Sequence, residues 1–268
     1  MQTTITLHPK FDHLREYIEQ IPQQFEDLQN VLYKDRNLIK TDEVSNIKLV
    51  IKSYHRIYLP NRLRYTFLYP SKAERAYRYG LKLLQHGFQT PQPIAFIECY
   101  KNKILTRSYF ISLYSDFKPL SAILLSDDKD LVIKDLTRFT YELHQKGFYH
   151  NDFSNGNILC KKEGDHFQFA LIDNNRMKFG KFTYSERLKN FLRLGLTNAQ
   201  LISIAEEYAR LAKNNDIKTI ELLFHYIRKH RERNYLKKQA KKLVLNSGLS
   251  KIISSRSLLV ASFLGPLI

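Results

Sequence analysis

The chain has 268 residues, of which 43% are hydrophobic, and its formal net charge at pH 7 is +17. This hydrophobic content argues against intrinsic disorder, and a count of two cysteines argues against a disulfide framework. The N-terminal residues show no basic region followed by an apolar core, so we expect no secretory signal peptide. No apolar run reaches about 18 residues, so we expect no membrane span. The positive charge favours a polyanionic partner: nucleic acid, an anionic membrane face, or a phosphorylated or carboxylated substrate.

The first half of the chain is predicted to be mainly β-structure. One short helix is expected at residues 11–20, ended by Pro22, and a longer one from Ser71 to Gly87, with a polar turn at 41–46. The segment 47–52 alternates with period two and is rich in β-branched residues, which is typical of a strand. Strands are expected at residues 5–7, 31–33, 37–40, 47–52, 94–99 and 104–114.

The second half is predicted to be mainly helical. A helix at 131–145 leads into a polar loop at 150–157, and two paired strands follow at 158–160 and 167–172. Helices then continue to about residue 243. We therefore predict an α+β protein of two lobes, with an N-lobe at 1–115, a C-lobe at 116–247 and an apolar tail at 248–268.

The loop at 150–157 carries the most specific pattern. It reads His-Asn-Asp-Phe-Ser-Asn-Gly-Asn, which is the H-x-D-x-x-x-x-N spacing of a kinase catalytic loop. In that pattern Asp152 accepts the proton of an attacking hydroxyl, and Asn157 helps to hold magnesium. Turn chemistry alone also favours Asn, Asp and Gly. The combination of a helix before the loop and a hairpin after it favours the functional interpretation.

The hairpin after the loop predicts a metal site. Asn157 enters its first strand and Asp173 leaves its second, so antiparallel pairing brings the two residues together. An amide oxygen and a carboxylate are hard ligands that suit Mg²⁺ bound to phosphates. The remaining histidines show no metal-ligand spacing, so we predict no zinc.

Two charged residues in the first half are candidates for nucleotide binding. Lys52 ends a strand of the V-x-I-K type and can contact phosphates as a point charge, although a solvated strand lysine is the alternative. Glu74 is expected to orient Lys52 through an ion pair. It also completes a capping box with Ser71, and both roles fit the sequence. His150 is expected to be structural and to hydrogen-bond the backbone.

Two basic stretches have several interpretations. In residues 54–75 arginines alternate with aromatic residues. Such side chains can stack on nucleic acid bases, lie at a lipid headgroup boundary, or pack on the lobe. Residues 228–242 carry eight lysines and arginines, which suit either a binding site or the solvated face of a terminal helix.

Six stretches together resemble the bacterial lipopolysaccharide kinases of the Kdo/WaaP family, which have a protein-kinase-like fold. They lie at residues 35–40, 71–77, 90–95, 108–110, 150–159 and 172–177. The resemblance implies ATP- and Mg²⁺-dependent phosphorylation of a Kdo or heptose hydroxyl at the cytoplasmic face of the inner membrane. By that similarity Asp152 is the base, Asn157 and Asp173 hold magnesium, and Lys52 with Glu74 binds phosphate. The positive charge would then dock an anionic inner-core or lipid A precursor glycolipid at an anionic membrane surface, with no nucleic acid partner.

The sequence departs from protein kinases at several positions. There is no glycine between Val31 and Lys52, so a glycine-rich phosphate lid is missing, and no A-P-E segment follows Asp173. Three substitutions accompany these absences: Asn151 for the arginine of H-R-D, Ser154 for a lysine, and Asn174-Asn175 for Phe-Gly. These features argue against a regulated protein kinase. They leave open an inactive relative that acts as a binding module, or a kinase of another small molecule of the aminoglycoside-phosphotransferase type. A nucleic-acid-binding protein has only the charge in its favour.

Overall fold

The computed structural model describes residues 2–34, 37–55 and 57–246. Within this part the first half forms a six-stranded antiparallel sheet, and the second half is mainly helical. The predicted α+β class is therefore confirmed. The predicted apolar tail at 248–268 lies outside the described residues.

The sheet of the first half has the strand order β1-β5-β6-β4-β3-β2, with three helices packed around it. Strand β4 is an interior strand, and this places Lys52 opposite Phe110 on one side and Ile39 on the other. The elements are β1 (Gln2–Leu7), α1 (Arg15–Gln24), β2 (Val31–Lys34), β3 (Leu38–Val44), β4 (Ile47–Tyr54), α2 (Leu59–Phe67), α3 (Lys72–Gln85), β5 (Pro93–Lys101) and β6 (Ile104–Leu113).

Helix α3 begins where the sequence predicts, because the Ser71 hydroxyl accepts a hydrogen bond from the backbone N–H of Glu74 at 3.1 Å. Gly80 allows the helix to approach β5 closely, since a Cβ at this position would lie 2.7 Å from the ring of Pro93. Helix α3 also contacts the 3-10 helix at Asn174–Arg176. Its buried residues follow a three- and four-residue spacing: Ala73, Ala76, Tyr77, Gly80 and Leu83.

The predicted turn at 41–46 is wrong in its extent. Strand β3 continues to Val44, and only Ser45 and Asn46 turn, with φ angles of 51° and 61°. Two residues in this left-handed region form the tight connection that suits the twist of a hairpin. The polar residues before it stay in the strand, where Asp42 accepts a hydrogen bond from the Tyr17 hydroxyl.

The first helix also differs from the prediction, because Pro22 does not end it. Helix α1 continues through Pro22 to Gln24. A proline removes one N–H donor and crowds the preceding turn. Burial of Ile18, Ile21 and Phe25 against the sheet outweighs this cost.

The second half is built around a central helix that packs against the helix Asn198–Ala212, the strand Phe148–His150 and the hairpin strand His166–Leu171. This helix confirms the prediction at 131–145 and buries Val132, Ile133, Leu136 and Leu143. The elements are β7 (Lys118–Pro119), α4 (Leu120–Ile123), α5 (Lys129–Gln145), β8 (Phe148–His150), β9 (Ile158–Glu163), β10 (His166–Leu171), β11 (Met177–Phe179), α6 (Tyr184–Leu188), α7 (Asn198–Ala212) and α8 (Asp216–Asn246).

Helix α2 was not predicted and has an unusual surface. Its residues and those flanking it include Tyr58, Phe67 and Leu68, whose exposed fractions are 75%, 69% and 75%. Arg64 stacks on Tyr69, with the guanidinium carbon 4.3 Å from the ring centroid. The helix therefore presents apolar and cationic side chains to solvent together. No helix in the described part of the chain is both long enough and apolar enough to cross a bilayer.

Candidate active site

The predicted catalytic loop lies between β8 and β9 and is held at both ends by paired strands. Strand β8 pairs with β11, with His150 opposite Met177, and β9 pairs with β10, with Ile158 opposite Leu171. Phe153 anchors the loop in the core with 1% of its surface exposed. The backbone is thereby fixed, while the Asp152 side chain keeps 18% of its surface accessible.

His150 is buried and orients the loop through backbone contacts, as the sequence predicts. Its Nε2 lies 3.0 Å from the carbonyl oxygen of Ile172, and its Nδ1 lies 3.3 Å from the backbone nitrogen of Asp152. A neutral ring satisfies both contacts, with Nε2–H donating and Nδ1 accepting. Burial lowers the pKa of His150, which keeps the ring neutral.

Asn157 connects the loop to the metal side of the site. Its side-chain Nδ2 donates to the carbonyl oxygen of Asp152 at 2.9 Å, so the amide oxygen remains as an acceptor. Its own backbone carbonyl accepts the N–H of Ile172 at 3.0 Å. Asp173 is the next residue, so the structure places Asn157 and Asp173 at the same end of the hairpin.

Lys52 and Asp173 form the ion pair at the centre of the site. Lys52 Nζ lies 2.7 Å from Asp173 Oδ1, and the same oxygen accepts a hydrogen bond from the Asn175 side chain. Asp173 has a left-handed backbone, with φ 58° and ψ 43°, which turns the chain at the end of β10. Burial opposes ionisation of Asp173, but Lys52 outweighs it and lowers the pKa of the carboxyl.

The predicted ion pair between Lys52 and Glu74 is wrong. The Glu74 carboxylate pairs with Arg78 at 2.8 Å, one turn further along the same helix. The helix sets this i, i+4 contact locally, whereas Lys52 is already bonded to Asp173. Glu74 also keeps its backbone bond to the Ser71 cap.

Two cations that the sequence interpretation missed, Lys72 and Arg176, lie near Asp173. The pKa of Lys72, the first residue of α3, is lowered mainly by burial and next by the charge of Arg176. Arg75 and Lys52 lower it further, whereas the Asp173 carboxylate raises it. The Nε of Arg75 is buried without a hydrogen-bond partner. This crowding of positive charge suits a polyanion such as a triphosphate. Lys72 and Arg75 both lie in the stretch 71–77 that carries part of the family resemblance, but that stretch assigned neither residue to the site.

Asp152 is paired with two arginines that were also missed. Arg193 Nη1 lies 2.6 Å from Asp152 Oδ1, and Arg176 Nη1 lies 3.8 Å from Asp152 Oδ2. About half of each arginine side chain is exposed. Arg176 follows Asp173 by three residues and could have been suspected from that position. Arg193 lies 41 residues after Asp152 in the sequence numbering, and no motif marks it.

A buried network of hydrogen-bonded side chains holds the backbone of the catalytic loop. Asn190 donates through Nδ2 to the carbonyl oxygen of His150 at 2.8 Å, and its Oδ1 lies 2.9 Å from His144 Nε2. The other ring nitrogen of His144 lies 2.9 Å from the Tyr208 hydroxyl. Burial lowers the pKa of His144 to about 4, so the ring is neutral at pH 7. The network ties the catalytic loop to α5, α7 and the 3-10 helix at Lys189–Arg193.

Comparison with known proteins identifies the family. The model of the lipopolysaccharide kinase (Kdo/WaaP) family matches residues 42–213, which is more than half of the chain. The chain belongs to the Kdo/WaaP lipopolysaccharide kinase family. A search of curated proteins finds no match to the sequence.

Solved structures show the fold of this Kdo/WaaP family member. WaaP in complex with acyl carrier protein superposes with a TM-score of 0.59 at 17% identity, over 85% of this chain and 98% of that chain. This likeness shows a protein-kinase-like fold. Two structures of the Rio2 kinase from Chaetomium thermophilum, one of them an ADP/Mg²⁺-phosphoaspartate complex, have TM-scores of 0.45 and 0.46 at 17% identity. They cover 85% and 81% of this chain and 78% and 76% of their own.

The donor set of this Kdo/WaaP family member fits magnesium rather than a metal held by the protein alone. Asp173 offers one carboxylate, and Asn157 retains its amide oxygen. Hard oxygen ligands in small number suit Mg²⁺, which takes its remaining ligands from phosphates and water. Among the described residues, no cluster of three or more His, Cys, Asp or Glu side chains could hold a metal.

Proposed function

We propose that this protein transfers the γ-phosphoryl group of ATP to a sugar hydroxyl, on Kdo or heptose, of the lipopolysaccharide inner core. The observation that carries the proposal is the arrangement around two hydrogen-bonded pairs. Lys52 lies 2.7 Å from Asp173, and Asn157 bonds to the backbone of Asp152 at 2.9 Å. A phosphate-binding lysine, two oxygen donors for a metal and a candidate base thus lie in one site.

In the proposed reaction Asp152 accepts the proton of the acceptor hydroxyl. The acceptor oxygen forms a bond to the γ-phosphorus, and the bond from that phosphorus to the β–γ bridging oxygen breaks. The products are a phosphomonoester and ADP, and the proton leaves through Asp152. The bond from Asn157 and the contact from His150 hold Asp152 in position for this transfer.

Asn157 and Asp173 are the residues that would hold Mg²⁺, which neutralises phosphate charge when bound. Lys52 would contact the same phosphates, and its pKa supports a permanent charge. Burial favours the neutral amine, but Tyr54 and Asp173 outweigh it and raise the pKa of Lys52. Lys72 and Arg176 add positive charge next to Asp173. In protein kinases a glycine-rich loop covers the phosphates, and we propose that these two cations bind the phosphates in its place. The segment at that position includes residues 35 and 36, which lie outside the described residues.

We also propose that the protein works on the cytoplasmic face of an anionic membrane, where its lipid-linked acceptor would lie. Support comes from the exposed Tyr58, Phe67 and Leu68 around α2, which lie among arginines, and from the net charge of +17. Apolar side chains at a headgroup boundary and cations facing anionic lipids are the usual components of such a contact. The lobe boundary is proposed at residues 115–116, between β6 and β7.

The proposal is tested with purified protein, ATP and Mg²⁺, using acceptors that end in Kdo or in heptose. Mass spectrometry of the acceptor should show one added phosphate on one of the two, and Asp152→Ala should abolish it. Lipopolysaccharide from cells with and without the gene should differ by the same phosphate. An enzyme that turns over ATP but modifies neither acceptor would contradict the substrate assignment and favour a kinase of another small molecule.

The missing glycines favour one alternative, a binding module with a kinase fold. In that case the cellular function would survive Asp173→Ala, which removes the proposed metal ligand. Loss of function in this variant, with retained protein level, would exclude the alternative.

A further inference from the structure

We propose that Arg193 and Arg176 form an anion subsite that binds a carboxylate or phosphate group carried by the acceptor beside the hydroxyl to be phosphorylated. This inference rests on the proposed function, because it assigns the acceptor side of the same site. It defines the acceptor as one that carries an anionic group beside the reacting hydroxyl, whether the phosphorylated sugar is Kdo or heptose.

The first observation is that both oxygens of the candidate base face an arginine. Arg193 Nη1 contacts Oδ1 of Asp152 at 2.6 Å, and Arg176 Nη1 approaches Oδ2 at 3.8 Å. The Asp152 carboxylate keeps acceptor sites beyond these two contacts, so an acceptor hydroxyl that donates to it lies beside both guanidinium groups. A carboxylate or phosphate on the acceptor would bind a guanidinium bidentately, whereas a neutral sugar brings no anion to it.

The second observation is that both arginine side chains can turn toward an acceptor anion at little energetic cost. The side chains of Arg193 and Arg176 are 48% and 52% exposed, so neither ion pair is locked in the core. Partly exposed ion pairs contribute little to stability, and their side chains can reorient. The pairs are therefore suited to exchange one carboxylate for another anion.

The third observation is that buried neighbouring residues fix the backbone of Arg193. It ends the 3-10 helix at Lys189–Arg193, in which Asn190 and Phe191 are buried. Asn190 is bonded directly to the carbonyl oxygen of His150 in the catalytic loop. The backbone of Arg193 is thus held in a fixed position relative to Asp152, and only its side chain is free to move.

The fourth observation is that the positive charge continues from Arg193 onto α8. Helix α8 contacts the 3-10 helix that Arg193 ends. The charges of Arg193, Arg233 and Lys237 add to burial in lowering the pKa of His230 on α8, so all three act on the same side chain. Part of the basic stretch at 228–242 therefore adjoins the acceptor side of Asp152. An anionic glycolipid with more than one charged group would find cations along this surface.

Binding of acceptor probes is measured with the Asp152→Asn variant. This measurement requires no catalytic turnover, and the substitution removes the carboxylate that pairs with the two arginines. The probes are a deacylated Kdo-containing oligosaccharide, the same compound with the Kdo carboxyl converted to an amide, and a deacylated lipid A disaccharide bisphosphate. At least one of the two anionic probes should bind to Asp152→Asn at least as tightly as to the unmodified protein. Adding Arg193→Gln should weaken that binding about tenfold, because one charge-assisted contact is lost.

The amide probe identifies the source of the anion. If the Kdo carboxylate is bound, the amide should bind about tenfold more weakly than its parent, and Arg193→Gln should weaken it no further. If a phosphate is bound, only the bisphosphate probe should respond to Arg193→Gln. Arg210→Gln is the matched control, since Arg210 is also exposed and paired with a carboxylate, Glu207, but lies on α7.

A kinetic arm separates this inference from the proposed function. In the active enzyme, Arg193→Gln should raise the KM for the anionic acceptor about tenfold and leave the KM for ATP unchanged, and Arg193→Lys should recover part of the loss. Equal weakening of all three probes, or no weakening of any, would overturn the anion subsite. A protein that phosphorylates neither the Kdo-ending nor the heptose-ending acceptor would contradict the proposed function, and the binding measurements would still decide the subsite.

Discussion

The ammonium group of Lys52 lies 2.7 Å from the carboxylate of Asp173, although 121 residues separate them in the chain. This ion pair joins the interior strand β4 to the end of β10. It brings the proposed phosphate-binding lysine and the proposed magnesium ligand into one site. Variants of Asp152, Lys52 and Glu74 test the parts of that site separately.

Asp152→Asn should lower the rate of phosphoryl transfer by about 10²–10⁴-fold, because the proton acceptor is lost while the shape of the side chain is kept. Binding of ATP should change little, since Asp152 is not among the proposed nucleotide contacts. Steady-state kinetics and ATP titration measure the two effects. Near-normal turnover in this variant would contradict the role of Asp152 as the base.

Lys52→Met should weaken ATP binding and also destabilise the fold. Asp173 would be left partly buried without its cation, which costs about 1–3 kcal/mol in the free energy of unfolding. The double variant Lys52→Met/Asp173→Asn should recover part of that loss, because no unpaired charge remains. Urea denaturation of the single and double variants gives the comparison, and additive losses would argue against a direct pair.

Glu74→Gln should change the KM for ATP by less than about threefold, because Glu74 pairs with the exposed Arg78 rather than with Lys52. Lys52→Met is the reference for a full effect. If the two variants were equally impaired, Glu74 would exchange Arg78 for Lys52 when nucleotide binds. Kinetics in parallel on both variants distinguish these outcomes.

Stability should fall as the pH is lowered from about 6.5 toward 4, because of His144. Burial lowers its folded-state pKa to about 4, so between these values the unfolded state binds more protons than the folded state. The contribution of neutral His144 to the free energy of unfolding is complete above the pKa of this histidine in the unfolded state. At pH 5 roughly 2 kcal/mol of that contribution should be lost. His150 acts in the same direction.

The measurement is urea denaturation at pH 5 and pH 7.5 for the unmodified protein and for His144→Gln. The variant is expected to be less stable at pH 7.5 and to lose less on acidification. An unchanged pH dependence in His144→Gln would assign the effect to other groups.

Phe67→Ser together with Leu68→Ser should reduce binding to vesicles that contain anionic lipid by roughly tenfold, because two exposed apolar side chains no longer enter the headgroup region. Leu125→Ser is the control, since Leu125 is 90% exposed and is not part of the α2 surface. Vesicle co-sedimentation at two salt concentrations measures both the apolar and the ionic component. Equal losses in the control would exclude a specific role for α2.

The sequence alone was informative where chemistry depends on local spacing. The alternation of 47–52, the Ser71 cap and the hairpin after Asn157 are each confirmed, because neighbouring residues decide strand, cap and turn geometry. Local rules failed at residues 41–46, where hairpin pairing extended the strand, and at Pro22, where burial of the helix face prevailed. They also failed at Glu74, because the sequence suggested Lys52 and the Ser71 cap as its partners, whereas its carboxylate pairs with Arg78.

The sequence by itself determined the loop at 150–157 and the hairpin that follows it, because a motif of fixed spacing and a two-residue period are properties of a single segment. Only the tertiary structure decided which cations meet which carboxylates. Lys52 with Asp173 and Arg193 with Asp152 are contacts between segments far apart in the chain. Such contacts depend on how sheet, hairpin and helices pack, and no local pattern encodes them.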